Sequence, residues 1–142
     1  MSSADAGYDQ FDVEADVGVH GWGPTRADAF AQVALGVLAL AVAPEGVAAR
    51  ETREVRAQGD ALETLLVNLV NECLYVHEIE GFAVARVEVQ FDGEGVAHAR
   101  LHGEPIDPAR HRLGTVVKAA TRHRTSVTET TERHEARLIV DV

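Results

Sequence analysis

Residues 138–142 read Leu-Ile-Val-Asp-Val, and such a run of branched apolar side chains calls for a buried strand. It ends on an aspartate and then on the last residue of the sequence, which sets the Asp141 side chain and the Val142 α-carboxylate together at a sheet rim. Two like charges that close repel unless a cation shares them, and a divalent ion with hard oxygen ligands is the simplest remedy. A third carboxylate completes such a site. The best candidate lies near the other end, Asp16 in Glu14-Ala15-Asp16-Val17-Gly18-Val19. This reading requires the two ends of the chain to meet. The alternative is that the same acids form a solvated strand face.

A chain of 142 residues is one domain long and buries about two-thirds of the surface its unfolded form exposes. Its 46% hydrophobic and 25% charged residues make a globular mixture, which leaves disorder only to the ends. The opening MSSADAGYDQ has no basic region followed by an apolar run, so it is not read as a signal peptide, and no apolar stretch reaches membrane-spanning length. The single cysteine, Cys73, supplies neither an internal disulfide nor a thiolate zinc site. A cytoplasmic protein is expected. The net charge of −10 repels phosphate backbones at long range. Between Pro108 and Thr128, however, there is no acid, while Arg110, Arg112, Lys118, Arg122 and Arg124 fall there with His111 and His123. This island suits a local polyanion or an acidic partner, or else it is a solvated strand face and loop.

Residues Phe11 to Val19 alternate, as one half-buried strand or a hairpin pair, with Asp12, Glu14 and Asp16 on one face. Gly21 to Pro24 read as a turn, and Thr25-Arg26-Ala27-Asp28 as a capping box opening a helix. Within it Ala29, Phe30, Val33, Ala34, Val37, Leu38 and Ala41 form one buried stripe, ending by Pro44. A strand at about Glu51 to Ala57 precedes a second cap box, Asp60 to Glu63. That box opens a helix with the stripe Leu62, Leu65, Leu66, Leu69, Cys73 and Val76, closed by Gly81. Cys73 lies in the stripe and reads as a small core residue. Ala83 to Phe91 and Val96 to Leu101 form a hairpin across Asp92-Gly93-Glu94-Gly95, and Gly103 to Pro108 read as a proline-held loop. Alternation resumes from Thr115 to about Glu129, and a final strand runs from His134 to Val142.

His98 and His102, four apart, fall on a strand where that spacing is about 13 Å, too far for one ion. His111 and His123 flank the basic island, as surface histidines or as a pair meeting across strands. No G-x-S-x-G, G-x-x-x-x-G-K-[ST] or G-x-G-x-x-G is present, so serine acyl transfer and the standard nucleotide loops lack support. Oxygen ligands remain: Asp12, Glu14 and Asp16 with Asp141 and the Val142 carboxylate, able to hold Ca²⁺ or Mg²⁺ if the first and last strands are neighbours.

Six segments in this order resemble the archease family across Tyr8 to Val142. They are E-A-D-V-G-V at Glu14 to Val19, P-T-R-A-D-A-F at Pro24 to Phe30, and L-L-V-N-L-V-N-E-C-L-Y at Leu65 to Tyr75. Then come G-E-P-I-D-P-A-R-H at Gly103 to His111, V-K-A-A-T-R-H at Val117 to His123, and the terminal L-I-V-D-V. The resemblance implies an accessory partner of the RtcB-type RNA ligase that speeds its guanylylation and turnover without catalysing ligation. It also implies a divalent cation, calcium before magnesium or manganese, held by Asp16, Asp141 and Val142, with Glu14 and Glu72 as further candidates. Arg110, Lys118 and His123 are the candidate partner or phosphate contacts. Where the family has His-Thr-Ala-Asp this chain has Val13-Glu14-Ala15-Asp16, and Arg122 replaces a customary tyrosine. A glutamate at 14 adds an oxygen donor or changes the preferred ion.

The expected architecture is α+β, a single-domain two-layer sandwich of two helices on a largely antiparallel sheet of six to seven strands. Residues 1–7 are expected as a disordered tail and 8–142 as the archease-like domain. The protein is expected as a monomer or weak homo-oligomer that touches RNA indirectly or weakly and no membrane. Two other functions compete, a chaperone-like protein-binding module and a metal-dependent phosphoesterase.

Overall fold

The alternating segments and the two three-and-four stripes become seven strands and two helices in a computed structural model that describes residues 5–142. In chain order they are β1 (Gly7–Val13), β2 (Asp16–Gly23), α1 (Arg26–Ala41), β3 (Glu51–Gln58), α2 (Leu62–Glu80), β4 (Phe82–Phe91), β5 (Val96–Pro105), β6 (Ala119–Glu129) and β7 (His134–Asp141). The expected tail falls largely on residues 1–4, outside those described, but Gly7 already pairs with Trp22 in β1 and is not tail.

All pairings are antiparallel, and the strands divide between two sheets, β1-β2-β7-β6 and β3-β5-β4. The α+β class with two helices and seven strands holds. Both helices touch both sheets: α1 packs on β1, β2 and β7 of the first and β4 of the second, and α2 packs on β6 of the first and β3, β4 and β5 of the second. No helix among the described residues is long and apolar enough to cross a membrane.

Thr25 caps α1 as its sequence demands, its hydroxyl oxygen accepting from the Asp28 amide at 3.1 Å. The whole stripe from Ala29 to Ala41 is buried. The second cap box does not form. The cap position falls on Ala61, whose side chain has no acceptor, and Asp60 stands one residue too early. Gly81 ends α2 with φ +61°, in the left-handed region. Leu65, Leu66, Leu69 and Cys73 of α2 meet Phe30, Val33 and Val37 of α1 in one core with Val19, Leu138, Val140, Val84 and Leu101 from the sheets. Each such aliphatic or aromatic side chain contributes about 1.5–3 kcal/mol by leaving water.

The hairpin alternative holds at the first strand, while three other boundaries differ from expectation, the first being β2, which runs on through Gly23 where a turn was expected because Gly21, Trp22 and Gly23 pair with β7. Phe11 to Val19 is a hairpin closed by the Val13–Asp16 pair, and its two-residue turn holds Glu14 at φ +53°. The reversal puts Asp12 opposite Val17 and Asp16 opposite Val13, so these two acids lie on opposite faces and not on the single face that one continuous strand would give. β5 runs on through Glu104 to Pro105, because Gly103 lets the strands approach so closely that a Cβ there would sit 1.8 Å from the Ala83 carbonyl oxygen. β6 starts at Ala119 and not at Thr115, since Gly114 and Thr115 spend their amides on the Ala41 and Leu40 carbonyls at the end of α1.

Candidate functional site at the rim of the first sheet

β2 and β7 are neighbours, with Val17 paired to Val140, Gly18 to Ile139 and Val19 to Leu138. One step beyond the Val17–Val140 pair on each strand stand Asp16 and Asp141, at the same end of the sheet. The head and tail of the chain therefore meet as the metal reading requires. On β7's other side Ala119 pairs with Asp141, and the Lys118 amide donates to the Asp141 carbonyl oxygen at 2.9 Å. Asp16 is half-buried and Asp141 exposed. Glu14 is exposed in the hairpin turn and contributes no side-chain bond within the described residues. Glu72 is exposed on α2, next to Asn71, whose amide side chain bonds both the amide and the carbonyl of Ala120 across from Val140.

Among the described residues no three His, Cys, Asp or Glu side chains gather closely enough to hold a metal. The structure brings Asp16 and Asp141 to one rim and leaves the third donor to the Val142 main chain. Carboxylate oxygens are the hard donors that calcium, magnesium or manganese take, so the chemistry of the set fits such an ion.

The segment expected as a proline-held loop carries a buried charge cluster instead. The Glu104 side chain is fully buried. One oxygen accepts from Arg50 Nε at 3.1 Å and Arg110 at 2.9 Å. The other accepts from the Ala48 amide at 2.8 Å and from His111 Nε2 at 2.9 Å. His111 Nδ1 accepts from the Asp107 amide, so its proton sits on Nε2 and points at Glu104. Arg110, the Ala48 amide and His111 together hold the Glu104 carboxyl far below the usual carboxylate range, against the opposing effect of burial. Arg110 also bridges Asp107 at 3.1 Å. Its guanidinium is tied to two carboxylates of its own chain while the side chain stays half exposed, so Arg110 has a structural role beside the expected one of partner contact. His111 is buried here while His123 stands exposed on β6, so the two do not pair. The only sequence signal for this cluster was a glutamate between a glycine and a proline, which read as a turn.

Lys118 and His123 are exposed, with no carboxylate within ion-pair distance among the described residues. His123 sits where β6 and β7 lose register between Thr121 and Ser126. His98 and His102 lie on β5, as the strand reading demands, and each pairs with a different acid, Asp92 at 3.5 Å and Glu88 at 2.5 Å. Among the described residues Cys73 is the free thiol of the core.

A family model described as the Archease protein family (MTH1598/TM1083) matches residues 8–142. A protein archease of Pyrococcus abyssi is 32% identical over 95% of this chain and 98% of its own length. The solution structure of Methanobacterium thermoautotrophicum protein 1598 superposes with a TM-score of 0.79 at 26% identity, covering 96% of this chain and 99% of that one. The crystal structure of an archease and possible chaperone from Thermotoga maritima superposes at 0.59 and 16% identity, covering 93% and 94%, which speaks for the fold alone.

Proposed function

The chain belongs to the archease family, and from that premise we propose that it is a cytoplasmic accessory factor of an RtcB-type RNA ligase, promoting the ligase's guanylylation and multiple turnover with no catalytic motif of its own. The observation that carries this reading is the β2–β7 register, which draws Asp16 and Asp141 from opposite ends of the chain to a single rim. Asp16, Asp141 and the Val142 carboxylate would hold a divalent cation there, calcium in the first instance, with Glu14 of the hairpin turn and Glu72 of α2 as the further candidate donors. Such an ion supplies local positive charge and open positions for a partner's carboxylate or phosphate. Lys118, hydrogen-bonded through its amide to Asp141, places a side-chain cation on the same rim. Contact with the ligase favours its guanylylation-competent conformation, by no more than the difference in affinity for the two ligase states.

The test is guanylylation of the cognate ligase with Asp16→Ala and Asp141→Ala. Both variants are expected to stay folded, since neither side chain belongs to the core, and to lose stimulation. Stimulation intact in both would refute the rim as the working site.

A second reading, a chaperone-like protein-binding module, is favoured by a different observation. The exposed large hydrophobic residues among those described are Tyr75 and Ile79 on α2 with Leu113 and Val116 in the crossing segment, and Val116 is 79% exposed. Leu113 and Val116 line an apolar cleft of about 350 Å³ beside His77 and Glu78. Exposed apolar clusters of this kind serve protein contacts. Suppression of aggregation in unrelated clients, lost on Val116→Ser, would decide for it.

A further inference from the structure

The helices cover one face of the four-stranded sheet, and the opposite face is left to side chains. Read across the strands, that face holds the rows Phe11–Gly18–Ile139–Thr121, Asp9–His20–Arg137–Ser126 and Gly7–Trp22–Glu135–Thr128. Two glycines let two aromatic rings lie down on it. A Cβ at Gly18 would sit 2.2 Å from the Phe11 ring, and one at Gly7 would sit 2.9 Å from the Trp22 indole. A guanidinium stacks on each ring, Arg137 at 5.1 Å from the Phe11 centroid and Arg133 at 5.0 Å from that of Trp22. His20 joins the stripe with its ring centroid 5.2 Å from that of Trp22.

Beside this stripe β6 bulges. Four residues, Arg122 to Thr125, stand opposite the single Leu138. Arg124 takes φ +59°, and the Thr125 hydroxyl donates to the Thr121 carbonyl at 2.8 Å to pin the loop. Arg122, His123 and Arg124 are exposed, and none has a carboxylate partner among the described residues. Of the other arginines, Arg50, Arg53, Arg86, Arg110 and Arg133 each have one; what sets the bulge apart is three such unpaired side chains in consecutive positions. A protein of net charge −10 thus keeps a cluster of its cations free on one edge.

The geometry points to this face as a binding platform for single-stranded RNA, with bases stacking against Trp22 and Phe11 and their guanidinium partners, and the phosphate backbone running over the Arg122–Arg124 bulge. Flat aromatic and guanidinium surfaces take unstacked bases, while a neighbouring cationic groove tracks the strand. An acidic protein partner would call for protruding apolar anchors beside the cations, whereas Phe11 and Trp22 are half-buried and lie flat along the sheet, and the exposed large hydrophobic residues lie elsewhere, on α2 and the 113–116 segment. The Ser126 and Thr128 hydroxyls, facing the same side, bond no other described residue and are free to meet a 2′-hydroxyl. The overall negative charge makes binding weak at range and steeply salt-dependent. This inference goes beyond the ligase reading and does not rest on it, because its test contains no ligase.

Trp22 is the chain's only tryptophan, so its emission reports this face directly. Titration with a short oligouridylate at low ionic strength is expected to quench Trp22 saturably, in step with the anisotropy of a fluorescein-labelled copy. The double substitution Arg122→Gln, Arg124→Gln, on exposed side chains, is expected to weaken binding about tenfold with unchanged circular dichroism. It is also expected to flatten the slope of log K against log salt by about 1.4, at about 0.7 for each phosphate no longer neutralised. The platform is overturned by anisotropy that rises without quenching, by undiminished binding in the double variant, or by equal quenching with polyglutamate. Equal affinity for oligothymidylate overturns the assignment to RNA.

Discussion

Leu138 sits in the middle of β7, pairs with Val19 of β2 on the helix-bearing face, and is fully buried. Leu138→Ala removes three carbons, about 2.4 kcal/mol of transfer free energy at about 0.8 kcal/mol each. The surrounding core, which includes Val19, Val37 and Leu66, closes only in part over the space left. A cavity term of about 1 kcal/mol raises the expected loss to roughly 3–4 kcal/mol, within the range of about 2–5 for buried leucines. At about 4 °C per kcal/mol for a chain of this size, the Tm falls by roughly 12–16 °C. The assay is thermal and urea unfolding followed by circular dichroism, with Asp141→Ala as the companion, since an exposed rim position is expected to change stability by no more than about 0.5 kcal/mol. Urea m-values equal to the parent's show that only the native state was affected. A loss under about 1 kcal/mol for Leu138→Ala, or a loss as large for Asp141→Ala, would refute the placement of β7 as a central, core-facing strand with a solvent-facing rim.

Glu104, Asp107, Glu88 and Glu135 all titrate below the ordinary carboxylate range, drawn down first by Arg110, the Ala109 amide, His102 and His20 respectively. A depressed native value stabilises the fold above the unfolded value of about 4.3 for a glutamate and loses that stabilisation as pH falls below it. Urea midpoints are therefore expected to hold from about pH 7 to 5 and to drop steadily below about pH 4. In Glu104→Gln, whose amide would turn an N–H donor on Arg50 and Arg110, the midpoint is expected to be lower throughout and its acid slope shallower. A parent midpoint unchanged at about pH 3 would contradict this. The Cys73 thiol is pushed up to about 12 by burial and then by Glu72. Ellman's reagent is expected to leave the native protein unlabelled and to react once urea unfolds it, and prompt labelling of the native state would show that the stripe of α2 carrying Cys73 is not packed in the core.

Helices and strands were legible because each rests on a local signal. Thr25 with Asp28 names a helix start, seven apolar residues from Ala29 to Ala41 name its buried face, and Leu138 to Val140 name a core strand. The expectation that Asp16 and Asp141 share a rim came from the need of the Asp141 and Val142 carboxylates for a shared cation and a third donor, and from the family resemblance. What stayed hidden depends on partners distant in sequence. Glu104 looks like a turn residue until Arg50 and Ala48, more than fifty positions earlier, are seen to hold it. The hairpin at Glu14 was ambiguous because Val13-Glu14-Ala15-Asp16 carries no glycine or asparagine, although Glu14 adopts a left-handed φ. The division into two sheets left no trace in the alternation, since period two tells which face a residue takes and not which strand lies beside it. The outer-face aromatics were invisible for the same reason: Phe11, Trp22 and Arg137 become neighbours only through register.

β7 comes last among the strands yet lies between β2 and β6 in its sheet. Its pairing with β2 joins residues far apart in sequence, His20 and Glu135 being 115 positions from each other along the chain. The β3-β5-β4 sheet, by contrast, is drawn from residues 51–105, with α2 in between. Closing a long loop costs entropy before any contact repays it. The middle of the chain is therefore placed to assemble first, with β2 and β6 waiting as open edges for a strand that arrives late. A molecule interrupted just before that arrival would lack the rim altogether and would present two unpaired strands to any neighbour in the same condition.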